Sequence, residues 1–190
     1  MIGKYGDDPR SSHYTNAESQ EFRFAQLCRV GDINNKTVLD VGCGIGDLCV
    51  YLRSRFDRVD YTGIDINPDA IEFAKKKHRD ASFHLCDLTS ENRDRCEFPN
   101  QDYVMTSGVF NNSFLDSTEY LEELVKAAFN KSIIGLAFNF ISDQAHKKDK
   151  GMAYHDPLRV LQFCMDTLSE RTTMFHRYER ADVSIFVYRE

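Results

Sequence analysis

Three alternating glycines, Gly42, Gly44 and Gly46, lie within residues 38–48, where a short apolar run meets an amphipathic stretch. A backbone without side chains can approach a bound molecule closely, and the helix that follows offers free N–H groups at its start. Asp40 lies two residues before the first glycine. The pattern predicts a ligand-binding turn between a strand and a helix, although glycine-rich turns also occur for purely structural reasons.

Two further carboxylates and a serine–glycine pair follow the next apolar runs. Asp65 ends the run after the glycine turn, Asp87 follows the next one, and Ser107-Gly108 ends a fourth. In an open parallel sheet the ligand lies beyond the carboxyl ends of the strands, so these positions are candidates for binding. Ordinary explanations stay open: an aspartate also forms turns or caps loops, and a Ser-Gly pair also ends strands.

The elements that must position these residues alternate between strand and helix. Apolar periodicity and helix-start signals predict seven strands and five helices. The predicted strands are residues 37–41, 59–65, 82–85, 103–107, 132–140, 172–178 and 183–188. The predicted helices are residues 15–29, 47–56 and 67–78, one starting at Asp116 or Ser117, and one starting at Asp156-Pro157. This alternation predicts a parallel sheet with right-handed crossovers, and the last two runs suit an antiparallel hairpin. We therefore expect a single-domain, doubly wound α/β fold with a seven-stranded mixed sheet.

The glycine turn resembles motif I of the class I, Rossmann-like S-adenosylmethionine-dependent methyltransferases, which often reads E/D-x-G-x-G-x-G. Asp40 and the three glycines match this motif position for position. The resemblance implies S-adenosylmethionine as the donor and S-adenosylhomocysteine as the product. It implies that Asp65 holds the ribose hydroxyls, that Asp87 contacts the adenine, and that Ser107-Gly108 contacts the methionine end. The implied donor-binding residues are Asp40, Gly42, Cys43, Gly44, Gly46, Asp65, Ile66, Cys86, Asp87, Leu88, Ser107 and Gly108.

The resemblance extends from residue 37 to the terminal hairpin, so we expect a methyltransferase domain at residues 37–190 and an N-terminal helical cap at residues 1–36. A dinucleotide-binding Rossmann domain is the main competitor, because it also has glycines after the first strand and an acid about 20 residues later. Its fingerprint is G-x-G-x-x-G, however, and here the third glycine comes one position early. The acid before the first glycine also favours the methyltransferase.

The predicted acceptor site draws on three segments near the same sheet edge: residues 5–23, 110–114 and 142–155. The third is a long loop with a basic cluster, which suggests an anionic small molecule as the acceptor. Its basic and aromatic members are His146, Lys147, Lys148, Lys150, Tyr154 and His155. His155 precedes a helix start, which disfavours imidazolium, so we expect a neutral histidine able to act as a catalytic base. A cap residue is the simpler alternative for it.

Several other polar residues in these segments have two interpretations. Arg23 either pairs with the donor's carboxylate or lies on a helix surface, and Asn111-Asn112 either orient an acceptor or form a turn. His13 and Tyr14 are candidates of the same kind. Methyl transfer is an in-line displacement that depends mainly on alignment, and a base is needed only where the acceptor arrives protonated.

Composition and charge limit the classes of binding partner that we expect. The net charge of −6 and the pI of about 5.5 argue against a nucleic-acid partner, as does the absence of a D/N-P-P-Y/F motif after the fourth strand. Six cysteines without a CxxC pair predict reduced thiols and no metal site. The polar N-terminus and the short apolar run at residues 133–141 predict no membrane span and a cytoplasmic location. The sequence leaves open a non-catalytic binding module, the acceptor atom and the oligomeric state.

Overall fold

A seven-stranded sheet forms the centre of the computed structural model, which describes residues 17–89, 98–112, 118–176 and 181–190. The strand order is β3-β2-β1-β4-β5-β7-β6. The first five strands are parallel, and β7 runs antiparallel to both β5 and β6. The strands are β1 Thr37–Val41, β2 Asp60–Asp65, β3 Ser82–Leu85, β4 Gln101–Thr106, β5 Ser132–Ile141, β6 Thr172–His176 and β7 Asp182–Tyr188. The expected fold class is confirmed.

Five α-helices connect or precede these strands in the described part of the chain. They are α1 Ala17–Leu27, α2 Asp47–Arg55, α3 Pro68–Lys77, α4 Thr118–Asn130 and α5 Pro157–Thr167, with short 3-10 turns at Cys28–Val30 and Val109–Asn111. The Asn67 side chain accepts a hydrogen bond from the Asp69 N–H, and the Asp156 side chain accepts one from the Leu158 N–H. These caps confirm the two predicted starts at Asn-Pro and Asp-Pro. The other predicted caps, at Thr15 and at residues 116–117, lie outside the described residues.

Two hydrophobic clusters cover the two faces of the sheet. On one face, α4 and α5 bury a stripe that includes Leu121, Leu124 and Val160. On the other, α1, α2 and α3 bury Phe24, Leu52 and other apolar residues. Helices therefore lie on both faces, as a doubly wound sheet requires, and the carboxyl ends of the parallel strands stay open at one edge.

Strand boundaries differ from the predicted ones by one or two residues. β4 begins at Gln101 rather than Tyr103, because Gln101 pairs with Ser132 at the start of β5 across a register shift. β6 ends at His176, and residues 177–180 lie outside the described residues. No helix of the described residues is long and apolar enough to cross a membrane.

The cysteines follow the prediction only in part. Cys28, Cys43, Cys49 and Cys164 are free thiols, and burial raises the pKa of the Cys28 thiol to about 12. Cys86, in contrast, is disulfide-bonded. The expectation of reduced cysteines throughout the chain was therefore wrong at Cys86, because spacing along the sequence does not show which loops approach each other.

Candidate functional site

A cavity of about 680 Å³ opens at the carboxyl edge of the sheet. This volume is within the usual range of small-molecule sites. Every predicted donor-binding residue except Gly46 lines the cavity. The cavity therefore brings together the ends of β1, β2, β3 and β4, which are far apart in sequence. These lining residues are Asp40, Gly42, Cys43, Gly44, Asp65, Ile66, Cys86, Asp87, Leu88, Ser107 and Gly108.

The glycine turn is tied to the neighbouring strand. The N–H groups of Gly42 and Cys43 both donate to the Ile64 carbonyl, at 2.8 and 2.9 Å. Gly42 has φ +77°, a left-handed conformation that favours glycine. Gly46, with φ +85°, does not line the cavity; a Cβ there would lie 2.7 Å from the ring of His78. The third glycine thus permits close packing against the ring of a neighbouring histidine rather than contact with a ligand.

Asp65 is held by two backbone N–H groups. Its Oδ2 accepts from Gly44 at 2.9 Å, and its Oδ1 accepts from Asn67 at 2.8 Å. A carboxylate oxygen can accept more than one hydrogen bond, so both oxygens keep capacity for a ligand. The glycine turn and the end of β2 therefore fix a carboxylate that faces the cavity and can take a vicinal diol.

Asp40 is buried beneath the glycine turn, where only 3% of its surface is exposed. The Tyr61 hydroxyl donates to its Oδ2 at 2.6 Å. Burial raises the pKa of Asp40 to about 7, and the hydrogen bond from Tyr61 opposes this shift. Tyr61 contributes no lining surface and was not singled out in the sequence, because it lies in the middle of β2 and pairs with β1 only in the folded sheet.

The other two predicted contacts lie at the ends of β3 and β4. Asp87 accepts from both the N–H and the hydroxyl of Thr89, at 2.9 and 2.8 Å. Asn139 of β5 orders the end of β4: its Oδ1 accepts from the Gly108 N–H at 2.8 Å, and its Nδ2 donates to the Ser107 hydroxyl at 3.2 Å. Asn139 was missed because it lies inside a long apolar strand, but it fixes where Ser107 enters the cavity.

Helix α1 closes one side of the cavity with residues that look like a helix surface in the sequence. Gln20 lines the cavity and donates to Asp47 at 3.0 Å. Arg23 is buried and forms two hydrogen bonds with Asp182, at 3.2 and 3.0 Å, and one with the Ser19 hydroxyl at 2.6 Å. The surface interpretation of Arg23 was therefore wrong, because its side chain is buried against Asp182 at the start of β7.

The remaining wall comes from α4 and from the loop after β5. Tyr120 of α4 lines the cavity, and burial raises the pKa of its hydroxyl to about 12. Asn111 and Asn112 line it next to members of residues 142–155, and the Ala153 N–H donates to the Asn111 carbonyl at 3.1 Å. The lining residues of this loop are Ala145, Lys147, Asp149, Lys150, Gly151, Met152 and Tyr154.

His155 lies behind this wall. It is 3% exposed, its Nε2 is 3.0 Å from the Phe110 carbonyl, and its ring meets that of Phe140 edge-on. It is not among the residues that line the cavity. A carbonyl oxygen can only accept a hydrogen bond, so Nε2 carries the ring proton and donates a hydrogen bond to the Phe110 carbonyl. This geometry joins two loops and gives no support to a base at this position, so the catalytic role stays an untested prediction. Among the described residues, no three acidic, histidine or cysteine side chains form a group that could hold a metal ion.

The parallel strands, the antiparallel β7 and a cavity beyond the glycine turn together define a class I, Rossmann-like methyltransferase. The chain belongs to the methyltransferase domain family, whose model matches residues 32–174. A Mycobacterium tuberculosis protein that carries a methyltransferase name is 27% identical over 163 residues, which cover 80% of this chain and 92% of the relative.

Two further proteins are similar to this chain. The fatty-acid O-methyltransferase of Mycolicibacterium smegmatis is 41% identical over 54 residues, which cover 28% of this chain and 20% of that protein. Magnesium protoporphyrin IX methyltransferase from Synechocystis PCC 6803, solved with bound S-adenosylhomocysteine, has a TM-score of 0.68 at 18% identity and covers 100% of this chain and 92% of its own. These similarities favour the methyltransferase over the dinucleotide-binding alternative.

Proposed function

We propose that this chain transfers a methyl group from S-adenosylmethionine to an oxygen or nitrogen atom of a small, anionic acceptor. The observation that supports this most strongly is the cavity itself, which joins Asp65 and the glycine turn at one end to a lysine-containing loop at the other. Residues of both ends line one cavity, so a donor and an acceptor bound there would lie next to each other.

The residues of the cavity fit such a donor. Asp65 is oriented to accept both ribose hydroxyls, since Gly44 and Asn67 hold its two oxygens in place. Asp87 lies beyond β3, where the adenine is expected, and Ser107 lies at the end that would take the methionine part. When bound, the donor supplies a methyl group on a positively charged sulfur.

The protein's contribution is alignment and exclusion of water. Holding two reactants in line can account for an effective molarity on the order of 10⁵ M or more. Helix α1 supplies Gln20 and Phe24 as a wall over the donor end, which supports the assignment of residues 1–36 as a cap. No proton acceptor is needed where the acceptor group arrives without a proton on the methylated atom, as a carboxylate does.

The charge of the acceptor is inferred from the loop after β5. Lys147 and Lys150 line the cavity, and Lys147 is 3.7 Å from Asp149, an exposed and therefore weak ion pair. Both ammonium groups therefore remain able to attract a carboxylate or phosphate. The similarity to a fatty-acid O-methyltransferase agrees with a carboxylate-bearing acceptor.

The donor site is tested by calorimetric titration with S-adenosylmethionine, S-adenosylhomocysteine and NADH. We expect micromolar binding of both adenosyl ligands, none for NADH, and loss of binding in Asp65→Ala. Asp60→Ala is the matched control, because Asp60 lies at the exposed start of the same strand. Tighter binding of NADH, or no adenosyl binding, would contradict the proposal.

The anionic acceptor is tested by neutralising Lys147, Lys148 and Lys150 together to glutamine and screening small carboxylates and phosphates with labelled donor. We expect a higher KM for the acceptor, with donor binding intact. A matched variant that neutralises Lys75, Lys76 and Lys126, which are exposed helix residues away from the cavity, controls for net charge. Equal kinetics for both variants would reject the anionic acceptor.

Donor binding without methyl transfer to any member of a broad screen would favour the non-catalytic module instead. An RNA or protein acceptor would appear as label in a macromolecular fraction. The four free thiols of the described residues agree with a reducing, cytoplasmic location, whereas the disulfide at Cys86 does not, so the location also stays a prediction.

A further inference from the structure

Gln20 lines the cavity with a side-chain amide that the fold uses at one end. Its Nε2 donates to Asp47 Oδ2 at 3.0 Å, and among the described residues nothing donates to its Oε1. The buried side-chain atoms without a partner in the same part of the chain are Thr106 Oγ1, Asn111 Oδ1 and His176 Nε2. Gln20 Oε1 is not one of them, so it keeps accessible surface in a residue that lines the cavity.

Asp47 places further acceptors beside this oxygen. It is the first residue of α2 and also lines the cavity. Its Oδ2 accepts from Gln20 and its Oδ1 accepts from Lys77 Nζ at 3.1 Å, so the carboxylate is held from two sides. Lys77 is not among the lining residues, and the Asp47 side chain stays 19% exposed. Each carboxylate oxygen has two lone pairs, so both can accept once more.

This pair of residues fits a cation that donates hydrogen bonds. An ammonium group has three N–H donors and no acceptor, and its bonds to a carboxylate are stronger than bonds between neutral groups. An anion would meet repulsion from Asp47. The carboxylate is already oriented by Gln20 and Lys77, so binding a ligand there costs little further ordering.

The place of Asp47 in the fold indicates which part of the donor it meets. Asp65 and Asp87, the proposed ribose and adenine contacts, follow β2 and β3, and Ser107 follows β4. Because β1 lies between β2 and β4, the amino-acid part of the donor has to cross the glycine turn after β1. Asp47 directly follows that turn. S-adenosylmethionine carries its one ammonium group in this amino-acid part.

We propose that Gln20 and Asp47 bind the ammonium group of the donor. Gln20 Oε1 and the Asp47 carboxylate accept its N–H groups, while Lys77 and Gln20 Nε2 keep the carboxylate in place. This rests on the proposed function and adds to it a donor contact from α1, outside the four sequence motifs. Both residues position the donor, and neither exchanges a proton with it.

Two ligands that differ in the ammonium group test this contact by calorimetry. One is S-adenosylhomocysteine, and the other is 5′-S-(3-carboxypropyl)-5′-thioadenosine, which has hydrogen in place of the ammonium. We expect the wild type to bind S-adenosylhomocysteine about tenfold more tightly or better, since a hydrogen bond to a charged group is lost with the analogue. Gln20→Leu and Asp47→Asn are expected to weaken S-adenosylhomocysteine by about tenfold and to leave the affinity for the analogue unchanged.

The analogue also reports on the fold, because a variant that distorts the cavity weakens both ligands equally. That result, or equal binding of both ligands by the wild type, would overturn the proposal. Gln26→Leu is the matched control: Gln26 lies on the same helix, bonds to Arg29 and does not line the cavity, so both affinities are expected to match the wild type.

A third ligand, 5′-S-(3-aminopropyl)-5′-thioadenosine, keeps the ammonium and lacks the carboxylate. Its affinity is expected to fall in Gln20→Leu and Asp47→Asn as that of S-adenosylhomocysteine does. If it stays unchanged, these residues contact the carboxylate and the proposal is wrong. Failure of the wild type to bind S-adenosylhomocysteine at all would instead reject the proposed function.

Discussion

At the scale of single residues, Asp40 is almost fully buried and has one hydrogen-bond donor among the described residues, the Tyr61 hydroxyl. Burial raises the folded-state pKa to about 7, well above the ordinary value of 3.8. At pH values between 3.8 and about 7, the Asp40 carboxyl is mostly protonated in the folded protein and mostly ionised in the unfolded chain. Asp40 therefore makes stability decrease as pH rises through this window, by up to about 1.4 kcal/mol per pH unit.

This linkage is tested with Asp40→Asn, whose amide does not titrate. From pH 4 to pH 7 the free energy of unfolding of the wild type is expected to fall relative to that of the variant, measured by urea denaturation. Tyr61→Phe removes the hydrogen bond that lowers the pKa, so the decline is expected to extend to higher pH. Parallel pH profiles for all three proteins would show that Asp40 titrates normally.

Gly42 is the residue where the turn tolerates a side chain least. A Cβ there would need φ +77° and would lie 2.3 Å from a methyl carbon of Val109. Gly151, with φ +90° and nothing within 4 Å, has the same strain without the clash. We expect Gly151→Ala to lower the free energy of unfolding by roughly 1–2 kcal/mol and Gly42→Ala to lower it further.

The control for this comparison is the double variant Gly42→Ala, Val109→Ala, which removes the clash and keeps the strained φ. In chemical denaturation, the double variant is expected to have a lower free energy of unfolding than Val109→Ala alone. This difference should equal the one between Gly151→Ala and the wild type. If Gly42→Ala costs no more than Gly151→Ala, the contact with Val109 relaxes freely and does not constrain the turn.

At the scale of elements, α1 is attached to the sheet by a buried ion pair that joins it to the start of β7. Arg23 and Asp182 are 159 residues apart in sequence, and their side chains are only 11% and 3% exposed. Breaking a buried pair costs much more than breaking an exposed one, since the remaining charge loses its partner without regaining water.

A double-mutant cycle with Arg23→Met and Asp182→Asn is expected to give a coupling energy of about 3 kcal/mol. The same cycle on Arg53 and Asp80, a pair whose acid is 79% exposed, is expected to give below about 1 kcal/mol. Both are measured by chemical denaturation. Similar coupling energies in the two cycles would mean that water reaches the α1 pair.

The helices and strands also explain which residues of the site could be predicted from the sequence. Asp40, Asp65 and Asp87 were found because a strand end and its turn are local features, and parallel strands bring such ends to one edge. Gln20 lies in the predicted segment 5–23 but was not singled out, and Tyr120 was not predicted. A polar or amphipathic residue on a helix has the same pattern whether it faces solvent or a cavity. Which face of α1 is buried depends on its packing against the sheet, which no short window of sequence contains.

Two pairings were beyond sequence reasoning for the same physical reason. Arg23 and Asp182 meet only after the whole sheet has formed, and Asn139 reaches Ser107 across neighbouring strands. For His155, the local position could be predicted from the sequence but the surroundings of its side chain could not. Its position at a helix start was predicted, but its burial against Phe110 depends on how two loops pack.

At the scale of the whole molecule, the cavity is built from residues between Gln20 and Asp182, so it exists only in the folded chain. A ligand that binds there stabilises the entire domain by mass action. S-adenosylhomocysteine at 100 times its dissociation constant is expected to raise the free energy of unfolding by about 2.7 kcal/mol. The chain has 9 Tyr and no Trp, so near-ultraviolet dichroism and tyrosine fluorescence can follow tertiary structure while far-ultraviolet dichroism follows the helices.

The increase in the free energy of unfolding should be the same whether it is measured by dichroism or by fluorescence. The reason is that α1 and the terminal hairpin are linked through Arg23 and Asp182 and unfold with the sheet. The increase should grow with the logarithm of ligand concentration, persist in Asp60→Ala and disappear in Asp65→Ala. A shift in the helical signal that precedes the tyrosine signals would show that α1 unfolds separately. In that event the ligand would hold a mobile cap closed, and α1 would act as a gate to the donor rather than as part of a single cooperative domain.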